Sequence, residues 1–123
     1  ILRERRRYFR YPISLPVIIQ RVREPEILCT SENISGGGMA LSTQAPLVPG
    51  ENFRVQFTLP DHGAPILAES TICWSKTGSL GVRFESISDE QKSELQTWLS
   101  QKLEQILPDF VADQFRKAKP DSR

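Results

Sequence analysis

Short runs in which apolar and polar residues alternate occupy most of the first 87 positions. The stretch NFRVQFTL at 52–59 has a two-residue period, which is typical of a half-buried β-strand. Its apolar face is formed by Phe53, Val55, Phe57 and Leu59. Further strand-like runs, rich in β-branched or other apolar residues, lie at 17–23, 27–33, 39–43, 66–75 and 80–84.

Turn-forming clusters separate these runs: EPE, SGGG, APLVPG, PDHGAP and KTGS. Six short strands with a turn signal roughly every ten residues predict an all-β protein, either an antiparallel sandwich or a barrel. A closed barrel would also remove exposed sheet edges.

The hydrophobic period changes at Ser88, where SDEQ (88–91) has the sequence of a helix capping box with two acids in the first turn. An apolar stripe then recurs at helical spacing. It consists of Leu95, Trp98, Leu99, Leu103 and Ile106. We expect this stripe to pack on the sheet, although a partner-binding surface would have the same pattern. Pro108 is predicted to end the helix.

The composition is that of one soluble globular domain: 123 residues, 38% hydrophobic and 25% charged. No apolar run approaches the length of a membrane span, and the start lacks the apolar core of a signal peptide. Because the chain opens on Ile1, we expect it to be part of a longer polypeptide. We expect that polypeptide to be cytoplasmic, with the cytoplasmic part of a membrane-associated protein as the alternative. Cys29 and Cys73 lie in strand-like runs and are expected to be buried free thiols rather than a disulfide.

Positive charge is concentrated at the start of the chain. The first ten residues carry +4, so residues 11–123 carry −3 of the total of +1. A general DNA- or RNA-binding protein normally spreads cations over a face of the folded body, because its affinity comes from many phosphate contacts. This distribution therefore suits a small anionic ligand better than a long nucleic acid.

The sequence gives little support for catalysis. The only histidine, His62, lies in the turn cluster PDHGAP, and with two distant cysteines it lacks the spacing of a zinc site. The acidic residues form no evident catalytic pair. SGGG is not a phosphate-binding P-loop, because no Gly-Lys-Ser/Thr follows it. We expect neither an enzyme nor a metal or cofactor site.

Two stretches carry candidate binding chemistry. Arg6 and Arg10 are four positions apart, and each guanidinium can bind a phosphate or a guanine edge through two hydrogen bonds. In ENISGGGM, Asn33 and Ser35 offer polar groups on alternate residues. The glycines that follow are expected to adopt positive φ and to let a ligand approach the backbone. Each stretch alone has a plainer interpretation, a solvated basic tail or an ordinary turn.

Together, RxxxR at Arg6–Arg10 and [D/N]xSxxG at Asn33, Ser35 and Gly38 resemble the two motifs of the PilZ domain. The resemblance extends over residues 3–107 and includes the LGVRF run at 80–84 and the helix after it. It implies a six-stranded antiparallel β-barrel with a C-terminal helix. It also implies binding of the bacterial second messenger cyclic di-GMP, which is relayed as a conformational signal.

The resemblance also implies residue roles. Arg6 and Arg10 would clamp phosphates and guanine edges, Asn33 and Ser35 would meet a guanine, and Gly38 would maintain the loop geometry. The family includes members that bind two intercalated ligands, and Arg5 is compatible with a stacked pair of cyclic di-GMP molecules.

The expected organisation is a flexible arginine-rich arm at 1–11, a barrel at 12–87, a helix at 88–107 and a tail at 108–123. Expected partners are cyclic di-GMP and either a domain linked before Ile1 or a protein effector, without contact to long nucleic acid or membrane. We expect Tyr8 and Phe9 to anchor the arm on the barrel. Two alternatives stay open: a barrel that binds single-stranded nucleic acid, with Tyr8 and Phe9 as stacking platforms, and a protein-interaction module that binds no nucleotide.

Overall fold

The computed structural model of the protein describes residues 9–118, with side chains described for residues 9–106. Its strands follow the alternating runs and are joined mostly by the turn clusters. The elements are β1 (Tyr11–Pro12), β2 (Pro16–Gln20), β3 (Ile27–Ile34), β4 (Gly38–Ser42), β5 (Asn52–Phe57), β6 (Ile66–Lys76), β7 (Ser79–Ile87) and α1 (Asp89–Ala118).

Strands β2 to β7 form a closed antiparallel barrel. Their order is β3-β2-β5-β6-β7-β4, and pairing between β3 and β4 closes the cylinder. The short β1 pairs with β3 outside this ring of six. The predicted all-β, six-stranded barrel with a C-terminal helix is therefore confirmed, with β1 as an additional strand.

The barrel interior is filled by the inward residues of the alternating runs. Phe53, Val55 and Phe57 of β5 are at most 4% exposed, as their two-residue period predicts. Leu95 and Trp98 of α1 belong to the same hydrophobic cluster. Burial of such side chains stabilises the fold by about 1.5–3 kcal/mol each. The helix therefore packs on the barrel, as we expected.

The start of α1 is capped by Ser88 and fastened to β6 by Gln91. The Gln91 amide N–H donates to Ser88 Oγ at 3.2 Å, which is one half of the predicted capping box. The Gln91 side chain does not bond back to Ser88. Instead its Oε1 accepts from the Leu67 N–H at 2.9 Å, and its Nε2 donates to the Pro65 carbonyl at 3.2 Å.

The predicted end of α1 at Pro108 is wrong, because the helix continues to Ala118 and includes residues assigned to the tail. A proline removes one backbone hydrogen bond and crowds the preceding turn, so it destabilises a helix without always ending it. The apolar stripe also leaves the core before that point: Leu95, Trp98 and Leu99 are buried, but Ile106 is 43% exposed. Within the described part of the chain, α1 is too polar to cross a membrane.

Two other predictions are corrected. Strand β2 ends at Gln20 rather than at Arg23, which adopts a φ of 63° in the turn before β3. Cys73 is exposed, because it follows the inward-facing Ile72 and therefore lies on the outer face of β6. Cys29 is half-buried, and burial raises the pKa of its thiol to about 11. Both cysteines are free.

Candidate functional site

The arm is attached to the barrel immediately after its last arginine. Tyr11 and Pro12 pair with Ile34 and Asn33 of β3. The next residues are held by Ser31, whose hydroxyl accepts from the Leu15 N–H at 2.9 Å and donates to the carbonyl of Ile13. Ser31 is only 3% exposed. These bonds fix where the chain leaves the arm, and Ser31 was not singled out from the sequence.

A β-bulge directs Asn33 to the outer surface. The pairing of β3 with β4 shifts register between Ser31 and Asn33, so one extra residue interrupts the alternation. Ser31 faces inward and Ile34 is buried, while Glu32 and Asn33 both reach the outside. Bulges commonly redirect a side chain in this way at functional sites. A strict two-residue period would have placed Asn33 on the inner face with Ser31.

The two halves of the predicted site meet at Arg10 and Asn33. The Arg10 guanidinium donates from Nη1 to Asn33 Oδ1 at 2.6 Å, across 23 positions of sequence. Arg10 is exposed and Asn33 partly exposed, so both stay accessible to a ligand. Within residues 9–106, no group accepts a hydrogen bond from Asn33 Nδ2.

The remaining predicted arm residues, Arg5 and Arg6, lie outside the described residues, as does Tyr8. Phe9, expected to anchor the arm, is partly buried against the core. Its ring centroid lies 6.4 Å from that of Tyr11, and Tyr11 meets Trp98 of α1 edge to face at 5.4 Å. Phe9, Tyr11 of β1 and Trp98 of α1 therefore form one aromatic cluster beside β3, with which β1 pairs.

Ser35 is buried and holds the loop between β3 and β4. Its Oγ accepts from the Gly37 N–H and donates to the Gly38 carbonyl, both at 3.2 Å, while its own N–H donates to the Gly38 carbonyl at 2.8 Å. Ser35 is 4% exposed, and its hydroxyl makes its hydrogen bonds within the loop. The exposed backbone of this loop is the part that faces outward.

The glycines of this loop do not adopt the positive φ that we expected: none of Gly36, Gly37 and Gly38 has one. A side chain at Gly38 would overlap the carbonyl oxygen of Val82, so glycine is needed for β4 to lie against β7. At Gly36 and Gly37 nothing lies within 4 Å of an added Cβ. These two positions leave open space for a ligand.

An exposed tryptophan lies on the same surface. Asn33 pairs with Ala40, Ala40 with Gly81, and Gly81 with Trp74, so these residues form one row across four strands. Trp74 is 38% exposed, and its indole occupies the space that a side chain at Gly81 would fill. The ammonium of Lys76 lies 5.6 Å from the ring centroid.

Trp74 was missed from the sequence, because strict alternation from Ile72 would put it inside the barrel. The register shift after Ile72 turns it outward, just as the bulge in β3 turns Asn33 outward. The available signal was Gly81 in the next strand, which leaves room for an indole on the outer face. Two bulges thus direct an amide and an aromatic ring to one surface.

The charge beside the glycine loop is locally compensated. Arg83 pairs with Gly38 in the register of β4 and β7, and its Nη2 lies 2.6 Å from Glu85 Oε2. The hydrogen bond from Arg83 holds the pKa of Glu85 below its usual value. Both side chains are exposed, so the pair adds little stability. Arg83 contributes less positive potential here than Arg10, whose described partner is a neutral amide.

The candidate residues for other chemistry do not converge. His62 lies in the turn after Leu59 and is partly buried. Its backbone N–H donates to the Leu59 carbonyl at 3.1 Å. Among the described residues no three His, Cys, Asp or Glu side chains come together as a metal site would require.

A family model described as the PilZ domain matches residues 4–101. The chain belongs to the PilZ domain family. This match confirms the resemblance seen in the RxxxR and NxSxxG motifs. A search of the curated proteins found no match.

Solved PilZ structures share the fold. A structure described as the PilZ domain with c-di-GMP of YcgR from Escherichia coli is 18% identical, with a TM-score of 0.63, and the match covers 94% of this chain and 98% of that one. The PilZ domain of CeSA from a cellulose-synthesizing bacterium is 20% identical, with a TM-score of 0.60 and coverage of 78% and 98%.

The Bacillus subtilis inhibitor of motility, MotI/DgrA, has a TM-score of 0.68 and 24% identity, over 79% of this chain and 50% of that one. This PilZ chain therefore matches half the length of that protein. At these identities the likeness shows the fold, a six-stranded barrel with a C-terminal helix.

Proposed function

We propose that this PilZ domain is a receptor for cyclic di-GMP, and not an enzyme, and that it relays ligand binding to a linked domain or partner protein. The observation that carries the proposal is the contact between Arg10 and Asn33, which joins the two motifs on the surface that also bears Trp74. Family membership and the similar fold of a PilZ domain with c-di-GMP support the choice of ligand.

The geometry suits a compact dianion with two flat purines. Arg10, with Arg6 from the arm, supplies guanidinium groups for phosphates and guanine edges. Asn33 offers a hydrogen-bonding amide, and Trp74 offers an aromatic face for a purine. Ser35 and Gly38 belong to the site through the loop that they hold, and the open space at Gly36 and Gly37 admits the ligand.

The signal would pass through the contacts at the base of the arm. Closure of the arm over a ligand would reposition Tyr11, which touches both β3 and Trp98 of α1. An order–disorder change in an arm is a common switching device. The output would therefore be a changed orientation of the arm and whatever precedes it, or of α1.

Calorimetric titration with cyclic di-GMP tests the proposal. Arg6→Ala and Arg10→Ala are expected to abolish most binding while the barrel stays folded, because each removes a charged bidentate contact. Arg54→Ala is the matched control: Arg54 is exposed and paired with Glu69 at 2.7 Å on β5 and β6, away from the arm. Native-like affinity in both arm variants, or no binding by the native chain, would overturn the proposal.

The same titrations measure stoichiometry. We propose that Arg5 allows a stacked pair of ligands, so the native chain is expected to bind two cyclic di-GMP molecules and Arg5→Ala one. An extra guanidinium can stack on or pair with a second guanine. One ligand per chain for both proteins would exclude the stacked pair and leave the receptor proposal intact.

A further inference from the structure

Asn33 has a consequence for which purine the site can accept. We infer that Asn33 relaxes the discrimination between guanine and adenine at this position, so that the ligand class includes mixed guanine–adenine cyclic dinucleotides. This inference rests on the proposed function, since it concerns the base-binding part of the same site. It starts from the orientation of one amide group.

The amide of Asn33 is oriented by Arg10. Its Oδ1 accepts the Arg10 guanidinium at 2.6 Å, and its Nδ2 has no acceptor among residues 9–106. Because the bulge after Ser31 turns Asn33 outward, this N–H group lies on the outer surface that forms the candidate site. The position therefore presents a hydrogen-bond donor, with an acceptor beside it that retains one lone pair.

A donor next to an acceptor fits both purines. N7 is an acceptor in guanine and in adenine, and an amide can bind adenine through N7 and N6–H together. An aspartate at this position, the other residue that the motif allows, would have no proton to give to N7. Its carboxylate would accept from the N1–H and N2–H groups of guanine, an adjacent pair of donors that adenine lacks. Carboxylate is therefore selective for guanine, and amide is not.

Apart from Arg10, the surroundings of Asn33 are equally tolerant. Its register partner on β4 is Ala40, which is 4% exposed and has no polar group in its side chain. Ser35 is occupied within its own loop. Trp74, at the far end of the row, can stack on either purine, because stacking on an aromatic ring depends little on base identity.

The test compares cyclic di-GMP with 3′,3′-linked cyclic GMP–AMP on the native chain and on Asn33→Asp, by calorimetry at fixed salt. Both ligands carry the same two phosphates, so phosphate contacts cancel in the ratio of the two affinities. Any guanine contact made by the arm is common to the native chain and Asn33→Asp, so it cancels when their ratios are compared. We expect the native chain to bind the mixed ligand within about tenfold of cyclic di-GMP. Asn33→Asp should widen that ratio by at least about tenfold, the scale of one lost two-bond contact to a base.

Asn52→Asp is the control for the added negative charge. Asn52 is exposed on β5, accepts a hydrogen bond from Thr71 at 2.6 Å, and is separated from β4 by β6 and β7. The ratio of the two ligand affinities in Asn52→Asp should therefore equal that of the native chain. If cyclic di-GMP binds but the mixed ligand is rejected by the native chain, or if Asn33→Asp leaves the ratio unchanged, the inference is overturned and the receptor proposal stands. If neither ligand binds, both are overturned.

Discussion

At the scale of single residues, the site depends on side chains that leave the strand alternation. Asn33 and Trp74 both face outward because an extra residue, relative to the paired strand, directly precedes each of them in its own strand. Strict alternation through Glu32 and Cys73, without the register shifts, would instead turn Asn33 and Trp74 toward the core. The position of these two residues is therefore set by backbone register as much as by their own chemistry.

Gly38 is the residue of the motif whose replacement should cost the most stability. In Gly38→Ala the new Cβ would overlap the Val82 carbonyl, which cannot move without separating β4 from β7. We expect the free energy of unfolding to fall by about 1–3 kcal/mol, as for other overpacked positions. Urea denaturation measures this directly.

The matched control is Gly36→Ala, in the same loop. No atom lies within 4 Å of its added Cβ and its φ is not positive, so stability should change by less than about 0.5 kcal/mol. Equal losses in the two variants would show that the loop, and not the contact with Val82, sets the requirement for glycine.

The motif residues could be predicted from the sequence, but their individual roles could not. Asn33, Ser35 and Gly38 were identified by the resemblance of their spacing, together with RxxxR, to the motifs of the PilZ domain. The structure gives Ser35 a buried loop-forming role and gives Gly38 a packing role, since both depend on the neighbouring strand β7 or on the turn. Trp74 was missed because a bulge has no reliable signal in the strand that contains it.

At the scale of elements, Gln91 fastens α1 to the barrel. Gln91→Ala removes two hydrogen bonds, to the backbone of Pro65 and Leu67, but keeps the helix propensity high. We expect a loss of about 1–3 kcal/mol in the free energy of unfolding, from two bonds at about 0.5–1.5 kcal/mol each. Thermal or urea unfolding followed by circular dichroism gives the value.

Gln105→Ala supplies the comparison, because Gln105 is an exposed residue of the same helix. It should be neutral. If Gln91→Ala is as mild as Gln105→Ala, the side-chain bonds to β6 contribute nothing net, and packing of Leu95 and Trp98 alone holds the helix in place.

Element positions were predictable where a period was strong. The alternation in β5 and the stripe from Leu95 to Leu99 led to the correct burial. The ends of elements are less predictable. The β-branched pattern predicts a β2 that is three residues too long, and Pro108 predicts a stop within a helix that continues. In both cases the local pattern competed with the surrounding backbone geometry.

At the scale of the whole molecule, the loop that carries the motif also closes the barrel. Pairing of β3 with β4 joins the two ends of the six-strand ring, and residues 35–37 connect these strands. The two-residue period predicted strands in a sandwich or a barrel, but it could not identify which pair of strands would form the closing seam of a barrel. The coincidence of seam and site became visible only in the fold.

The charge distribution of the molecule predicts poor binding of long nucleic acid. Residues 11–123 carry −3, so a strand leaving the arm would meet a net negative body. We expect no saturable binding of a ten-nucleotide oligothymidine up to about 100 μM at physiological salt, near the weak end of nonspecific binding. Fluorescence anisotropy tests this, with cyclic di-GMP titrated in parallel. Tight, steeply salt-dependent binding of the oligonucleotide would instead favour a nucleic-acid-binding barrel.

Because Trp98 contacts Tyr11 at the base of the arm, its intrinsic fluorescence is expected to report on movement of the arm. Trp98 is 4% exposed and touches the ring at the base of the arm, whereas Trp74 is 38% exposed. An aqueous quencher such as iodide or acrylamide would therefore suppress the emission of Trp74 first. The remaining fluorescence would come mainly from beside the arm, so arm movement could be followed in real time without a dye or a label.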